Sequence, residues 1–416
     1  MDVIHERCCG LDVHKKSVSA CLIGPGAAGS PEKEVRTFGT MTDDLLALAA
    51  WLRQAGVTHV AMESTGVYWK PIWNILEAES FVLILANAQH IKPRRDKKTD
   101  VMDCEWIADL LRHDLIKPSF VPSREQRELR ELTRYRTTLV RERSAELNRL
   151  QKTLEGANIK LASVVSDMNG KSAREMVQAL VGGSTDTVAM ADLARGKLRL
   201  KLPELQKALS GRFAPHQRFM LVQQLAHIDQ LDTNIDAVDS EIEERMRPFA
   251  VEVEALDSIP GVGATTAHAI IAEIGVDMTK FPSASDLASW AKMCPGNNES
   301  AGKRYSGKTG KGNRWLRGIL TESAHAAGRG KTYLASQYHR LAARRGKKKA
   351  AIAVGHSILI VAYHILKQPT IPYQDLGARY FDERDKERLK YRLLHRLEGL
   401  GACRFNRGCR RVILMA

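Results

Sequence analysis

Asp100 and Asp103 lie three residues apart in the stretch KKTDVMDCEWIADLL, residues 97–111. Val101, Ile107, Ala108 and Leu111 recur at helical spacing and Thr99 suits an N-cap, so a helix opens here. An i, i+3 spacing puts both carboxylates on one helix face. Two anions that close repel unless a cation lies between them, although the first turn of a helix also favours acids through its dipole. Two further carboxylates stand in costly places. Asp12 interrupts an apolar strand, and Glu63 ends a buried one directly before Ser64-Thr65-Gly66. Converging, the four acids Asp12, Glu63, Asp100 and Asp103 would hold two divalent cations. Mg²⁺ suits such an all-oxygen site, which activates one oxygen and stabilises another in phosphodiester chemistry. A fifth candidate is Ser300, in a Gly-rich stretch just ahead of Lys303 and Arg304. A serine among cations can attack a phosphodiester, and Ser306 competes for that role.

The elements that must position these residues follow from pattern. Residues 4–23 read as strand, tight turn, strand, and 35–39 as a third strand after the Gly/Pro turn 24–31. A helix over 42–55, capped by Thr42, precedes the buried strand 57–65. A helix over 68–78, a strand over 81–87 and the basic loop 90–98 lead to the helix of Asp100. The order β-β-β-α-β-α-β-α is that of a ribonuclease H-like fold, whose functional groups gather at strand ends.

Residues 123–155 form one long charged helix with the seam Leu129, Leu132, Tyr135, Leu139, Leu147, Leu150, Leu154, broken at Arg143. A second long helix, 217–247, carries Leu225, Ile228, Leu231, Ile235, Val238, Ile242 and Met246. Such a pair predicts an antiparallel coiled-coil arm or pairing between subunits. Between them lies a mixed helical insert, 156–215. Pro260-Gly261-Val262-Gly263 then sits between two helical patterns, a helix-hairpin-helix-like signature. Its glycines, Gly261 and Gly263, would let backbone N–H groups face a phosphate. A short helix over 282–291 and a polar loop follow, before a helix beginning near Asn313. The expected domains are 1–120, 121–250 with its insert, 251–345, and a basic helical tail, 346–416. The fold class is thus α/β plus α.

Composition narrows the partners. The 416 residues carry a formal charge of +15, and residues 301–349 hold 14 Lys/Arg against one acid, Glu322. Lys303, Arg304, Lys308, Lys311, Arg314 and Arg317, interleaved with Trp315, Tyr305, Tyr333 and Tyr338, point to a nucleic-acid backbone. The seven cysteines are scattered and resemble no disulfide framework; Cys403 and Cys409 with His395 match no usual zinc spacing. No apolar run suggests a membrane span and no leader pattern opens the chain, so a cytoplasmic or nucleoid location is expected.

The segments GLDVHKKSV, VAMESTGVYW, KTDVMDCEWIADLL and IPGVGATTAHAIIAEIG through NNESAGKRYSGKTGKGNRWLR together resemble the DEDD transposases of the insertion-sequence 110 family. The resemblance covers the N-terminal region and residues 252–330. It implies a RuvC-like catalytic domain, a coiled-coil linker and a separate transposase domain. It puts the metal-binding tetrad (Mg²⁺ or Mn²⁺) on Asp12, Glu63, Asp100 and Asp103. It puts the serine nucleophile on Ser300, within Glu299-Ser300-Ala301-Gly302-Lys303, where Ala301 replaces a usual glycine. It also implies a structured non-coding guide RNA (a bridge-type RNA) that pairs with donor and target DNA, and a homo-oligomer, dimer or tetramer. The alternative is a metal-dependent nuclease of the Holliday-junction type with water as nucleophile.

Overall fold

The computed structural model describes residues 2–26, 30–64, 66–86, 100–294, 298–306, 309–310 and 312–399; at 298–300, 304–306, 389 and 398–399 it describes the backbone alone. The basic loop 90–98, Thr99, Lys308, Lys311, Cys403 and Cys409 fall outside the described residues. The chain divides into two compact units, Met1–Arg124 and Glu125–Ala416.

The first unit is a five-stranded mixed sheet in the order β3-β2-β1-β4-β5. Strands β1 (Cys8–Val13), β2 (Ser17–Pro25) and β3 (Pro31–Gly39) form an antiparallel meander, while β4 (His59–Glu63) and β5 (Val82–Ala86) run parallel to β1. This topology is consistent with a ribonuclease H-like domain. All six residues of β1 are buried because helices cover both faces. Cys9, Leu11 and Val13 pack with α1 (Thr42–Gln54) and α2 (Trp69–Leu76). Cys8, on the opposite face, packs with Ile107, Ala108 and Leu111 of α3 (Asp100–Arg112). Thr42 is not the cap of α1: Met41 holds that position, with no side-chain cap bond, and Thr42 opens the helix. Strand β3 starts earlier than apolar alternation predicts, because its polar half pairs along β2 as far as Pro25–Pro31.

In the second unit two long helices, α4 (Arg124–Gly156) and α9 (Pro215–Met246), lie antiparallel. Arg245–Glu128, Arg136–Asp239 and Arg143–Asp232 are successive ion-pair rungs, and Leu139 packs with Leu231 and Ile235 between them. The arm is therefore paired within the chain. Arg143, the break in the seam, is such a rung, whereas Tyr135 points outward at 53% exposure. The insert contributes α5 (Leu161–Val164), α6 (Lys171–Val181), α7 (Thr187–Asp192) and α8 (Leu202–Leu209). They share one core with Leu150, Leu154, Leu221, Leu225 and Ile228 of the two arms.

Helices α10 (Ala250–Asp257), α11 (Ala264–Ile274) and α12 (Ala284–Trp290), a hairpin of β6 (Asn298–Ser300) and β7 (Lys303–Ser306), and α13 (Arg314–Ala327), α14 (Tyr333–Arg345) and α15 (Lys347–Lys367) follow in this unit, with α16 (Tyr380–Arg384) and α17 (Lys386–Gly399) after them. Two expectations are corrected here. The stretch around Ser300 contains a hairpin rather than only loop. Helix α15 packs against α10, α12, α13 and α14, with Val354, Ile358, Leu359 and Ala362 fully buried. At 21 residues it is long and apolar enough to cross a membrane by length and composition, contrary to the expectation that no run is. Burial inside the bundle accounts for that apolarity.

Candidate active site

Gly10 sets the approach of α3 to the sheet. A Cβ there would lie 2.3 Å from the Ala108 nitrogen and 2.4 Å from the Cys104 carbonyl oxygen. Only a glycine lets the helix lie this close. Asp12 is two residues further along β1, on the same face. Asp100 is one helical turn before Cys104, so it faces Asp12.

The two carboxylates meet through a side chain that the motif reading passed over. His14 Nε2 is 3.0 Å from Asp12 Oδ2 and 3.4 Å from Asp100 Oδ1. Ligand atoms of Asp12, His14 and Asp100 all lie within 4.8 Å of one another. The signal for His14 was present in sequence: Asp-x-His at the end of a strand brings both groups to one face, and imidazole is a common metal ligand. Asp12 is only 6% exposed. Burial pushes its carboxyl above the ordinary carboxylate range; His14 opposes this by charge and hydrogen bond, while Asp103 and Asp100 add repulsion. Asp103 is therefore within electrostatic reach of Asp12. Glu63 ends β4 one residue beyond Met62, the register partner of Leu11, and so stands beside Asp12 on the sheet. Neither Asp103 nor Glu63 belongs to the close triplet. Two carboxylate oxygens and an imidazole nitrogen around a buried acid are a donor set that fits a divalent cation.

Ser300 closes β6 and pairs in register with Lys303 across Ala301-Gly302. Both turn residues are left-handed, φ 50° at Ala301 and 74° at Gly302, the pattern of a two-residue hairpin turn. Ser300 is thus at the tip of the hairpin, beside the exposed Lys303. Ser306 pairs instead with Asn298 at the open end.

The expected nucleic-acid contacts divide. Gly261, at φ 87°, is pressed onto α13: a Cβ would lie 2.4 Å from the Ser323 carbonyl oxygen and 2.6 Å from the Ala327 nitrogen. Its glycine character serves helix packing, whereas Gly263 caps α11 and is exposed together with Ala264 and Thr265. Arg317, half-buried, donates to the Gly310 carbonyl at 3.0 Å. Arg314 is exposed and lies over the Trp315 ring, which Arg141 of α4 also approaches at 5.2 Å. Of Arg304 the structure describes only the backbone.

Comparison with known proteins gives a consistent family. The DEDD transposase model of insertion sequence IS110 matches residues 9–159, and the "Transposase IS116/IS110/IS902 family" model matches residues 253–340. A protein of Pseudomonas aeruginosa PAO1 named "Probable family 20 transposase" is 25% identical over 328 residues, covering 77% of this chain and 87% of the relative. The two family matches fall on the sheet with its acidic cluster and on the bundle with its serine hairpin, and on that footing the chain belongs to the IS110 family of transposases, enzymes that cut and rejoin DNA.

Proposed function

We propose that this transposase is an RNA-guided DNA recombinase of an insertion sequence, working through a covalent phosphoserine link. The Asp12–His14–Asp100 triplet carries the reading, because a buried acid facing other acids is arranged for a cation rather than for stability. Asp12, Glu63, Asp100 and Asp103 would hold Mg²⁺ or Mn²⁺, with His14 at its edge. A divalent cation held there would polarise a phosphate and neutralise charge on the leaving oxygen. Ser300 Oγ attacks the phosphorus of a DNA phosphodiester. The P–Oγ bond forms, the P–O bond to the leaving strand breaks, and the serine proton ends on the departing hydroxyl. A hydroxyl of the partner strand then attacks the phosphoserine and frees Ser300, so strands are exchanged without net hydrolysis. The working form is a homo-oligomer, a dimer or tetramer.

Sequence choice is delegated to base pairing by a structured non-coding RNA, while the protein holds RNA and DNA backbones. The family resemblance supports this, as does the basic block around Lys303, Arg304, Lys308, Lys311 and Arg314. Gly263 and the exposed start of α11 suit a helix-hairpin-helix-like phosphate contact. Action on chromosomal DNA makes the bacterial cytoplasm the place of work. Two measurements test the proposal. Denaturing gels of protein with element DNA should show a covalent adduct that Ser300→Ala abolishes. Sequencing of the co-purifying nucleic acid should return a discrete RNA complementary to both element and target. Cleaved ends without an adduct would favour the water-dependent nuclease.

A further inference from the structure

Glu273, in the last turn of α11, is a carboxylate at 1% exposure that neither the acidic cluster nor the hairpin uses. Three side chains converge on it. Arg134 of α4 donates to both oxygens, at 2.7 and 2.8 Å. Arg130, one turn earlier, lies 3.5 Å from Oε2 and donates to the backbone carbonyls of Ala272 and Glu273. Asn313 donates its Nδ2 to Oε2 at 2.5 Å. The same amide caps α13, its Oδ1 accepting the N–H groups of Trp315 and Leu316 at 3.0 and 3.1 Å. Asn313 also follows the Ser300 hairpin in sequence and opens α13. Just before it, Gly312 is wedged where a Cβ would lie 2.5 Å from the Ala291 carbonyl oxygen.

An N-cap asparagine needs no buried carboxylate behind it, and α4 and α11 could be joined by apolar contacts without desolvating three charges. A fully paired buried node of this kind fixes one arrangement where several of similar energy exist. We propose that Glu273 is a positioning residue for strand transfer: with Arg130 and Arg134 it locks Asn313 and the adjoining Gly312, which follow the Ser300 hairpin in sequence, so that the arm helix α4 sets where Ser300 is presented. The inference rests on Ser300 as nucleophile.

An exchange of the two partners separates positioning from folding. Asn313→Asp keeps an N-cap of equal quality but sets two carboxylates against each other. Adding Glu273→Gln restores one acid and one amide with their places exchanged. Full-length protein with its co-purifying nucleic acid is assayed for adduct formation at saturating element DNA, for DNA affinity, for thermal midpoint and for element excision in cells. Asn313→Asp should lower adduct formation roughly tenfold or more, with affinity and midpoint unchanged. The double variant should return to within about threefold of the starting protein. If Asn313→Asp lowers the midpoint instead, Asn313→Ser, which caps but cannot reach Glu273, takes its place and should show the same selective loss. The proposal is overturned by an unchanged adduct rate, by a loss in Asn313→Ser that follows affinity or midpoint, or by a double variant no better than the single. Failure of the nucleophile reading looks different: the adduct persists in Ser300→Ala, whatever the 273/313 variants do to excision.

Discussion

Asp12 and Glu273 are both buried carboxylates, 6% and 1% exposed, one in each unit, and their surroundings are opposite. Glu273 is saturated by two guanidinium groups and an amide. Asp12 faces a half-exposed imidazole and the acids Asp100 and Asp103. Burial alone therefore says little about a carboxylate's role; the charge of its neighbours decides. An acid surrounded by donors holds helices in place. An acid surrounded by acids destabilises the fold unless a cation joins it.

The largest expected effect tests the Asp12 side. Asp12→Asn should lower strand cleavage roughly a thousandfold or more, since metal-assisted charge stabilisation contributes several kcal/mol. It should leave the thermal midpoint unchanged or raised, because an ionised acid penalised by burial and by neighbouring acids is removed. A clear drop in midpoint would make Asp12 structural. Glu273→Ala should reverse the pattern in stability. Two arginines lose their buried counter-charge, and denaturant unfolding should show a loss of about 3–5 kcal/mol.

His14 sharpens the contrast, as it orients Asp12 and Asp100 without being one of the four acids. His14→Ala should weaken Mn²⁺ binding by titration calorimetry roughly 10–100-fold, the usual effect of removing a group that orients or completes a ligand set. Unchanged affinity would place His14 outside the site.

A pair of glycines carries the comparison into packing. Gly10→Ala and Gly261→Ala each drive a Cβ into the backbone of a helix, α3 or α13. Overpacking of this kind should cost about 1–3 kcal/mol in each. Gly261→Ala should be the worse by about 1 kcal/mol, because its φ is also left-handed. Only Gly10→Ala should weaken Mn²⁺ binding, as α3 carries Asp100 and Asp103. Equal weakening by both would dissolve the distinction between the two units.

Much of this was legible in the residues, for identifiable reasons. The six buried residues of β1 announce themselves as an apolar run that tolerates one acid, and the α4/α9 seam as spacings of three and four. Tyr135 was misread because spacing alone cannot tell which face meets the partner; Thr133 and Glu146 are buried instead. The α15 core helix was hidden behind Lys347-Lys348-Lys349, which made its start read as a basic tail. The hairpin of Ser300 has no alternating apolar residues to mark strands, and its turn is Ala-Gly rather than Asn-Gly. The Glu273 node was invisible because its arginines lie about 140 residues away in sequence.

Ala301 supplies the smallest and most local test. It occupies a left-handed position, φ 50°, where a side chain is strained by roughly 1–2 kcal/mol. Gly10 and Gly261 are glycines because a Cβ has no room; Ala301 lacks only a conformation that glycine adopts freely. Ala301→Gly removes the strain but adds freedom to the unfolded chain, about 0.5–1 kcal/mol in the other direction. The net gain should be a few tenths of a kcal/mol to about 1 kcal/mol, confined to the hairpin. Amide hydrogen exchange at Lys303 should therefore slow severalfold while the global midpoint moves little. Faster exchange at Lys303 would mean that Ala301-Gly302 does not hold the paired left-handed turn, and that Ser300 is not presented at a hairpin tip.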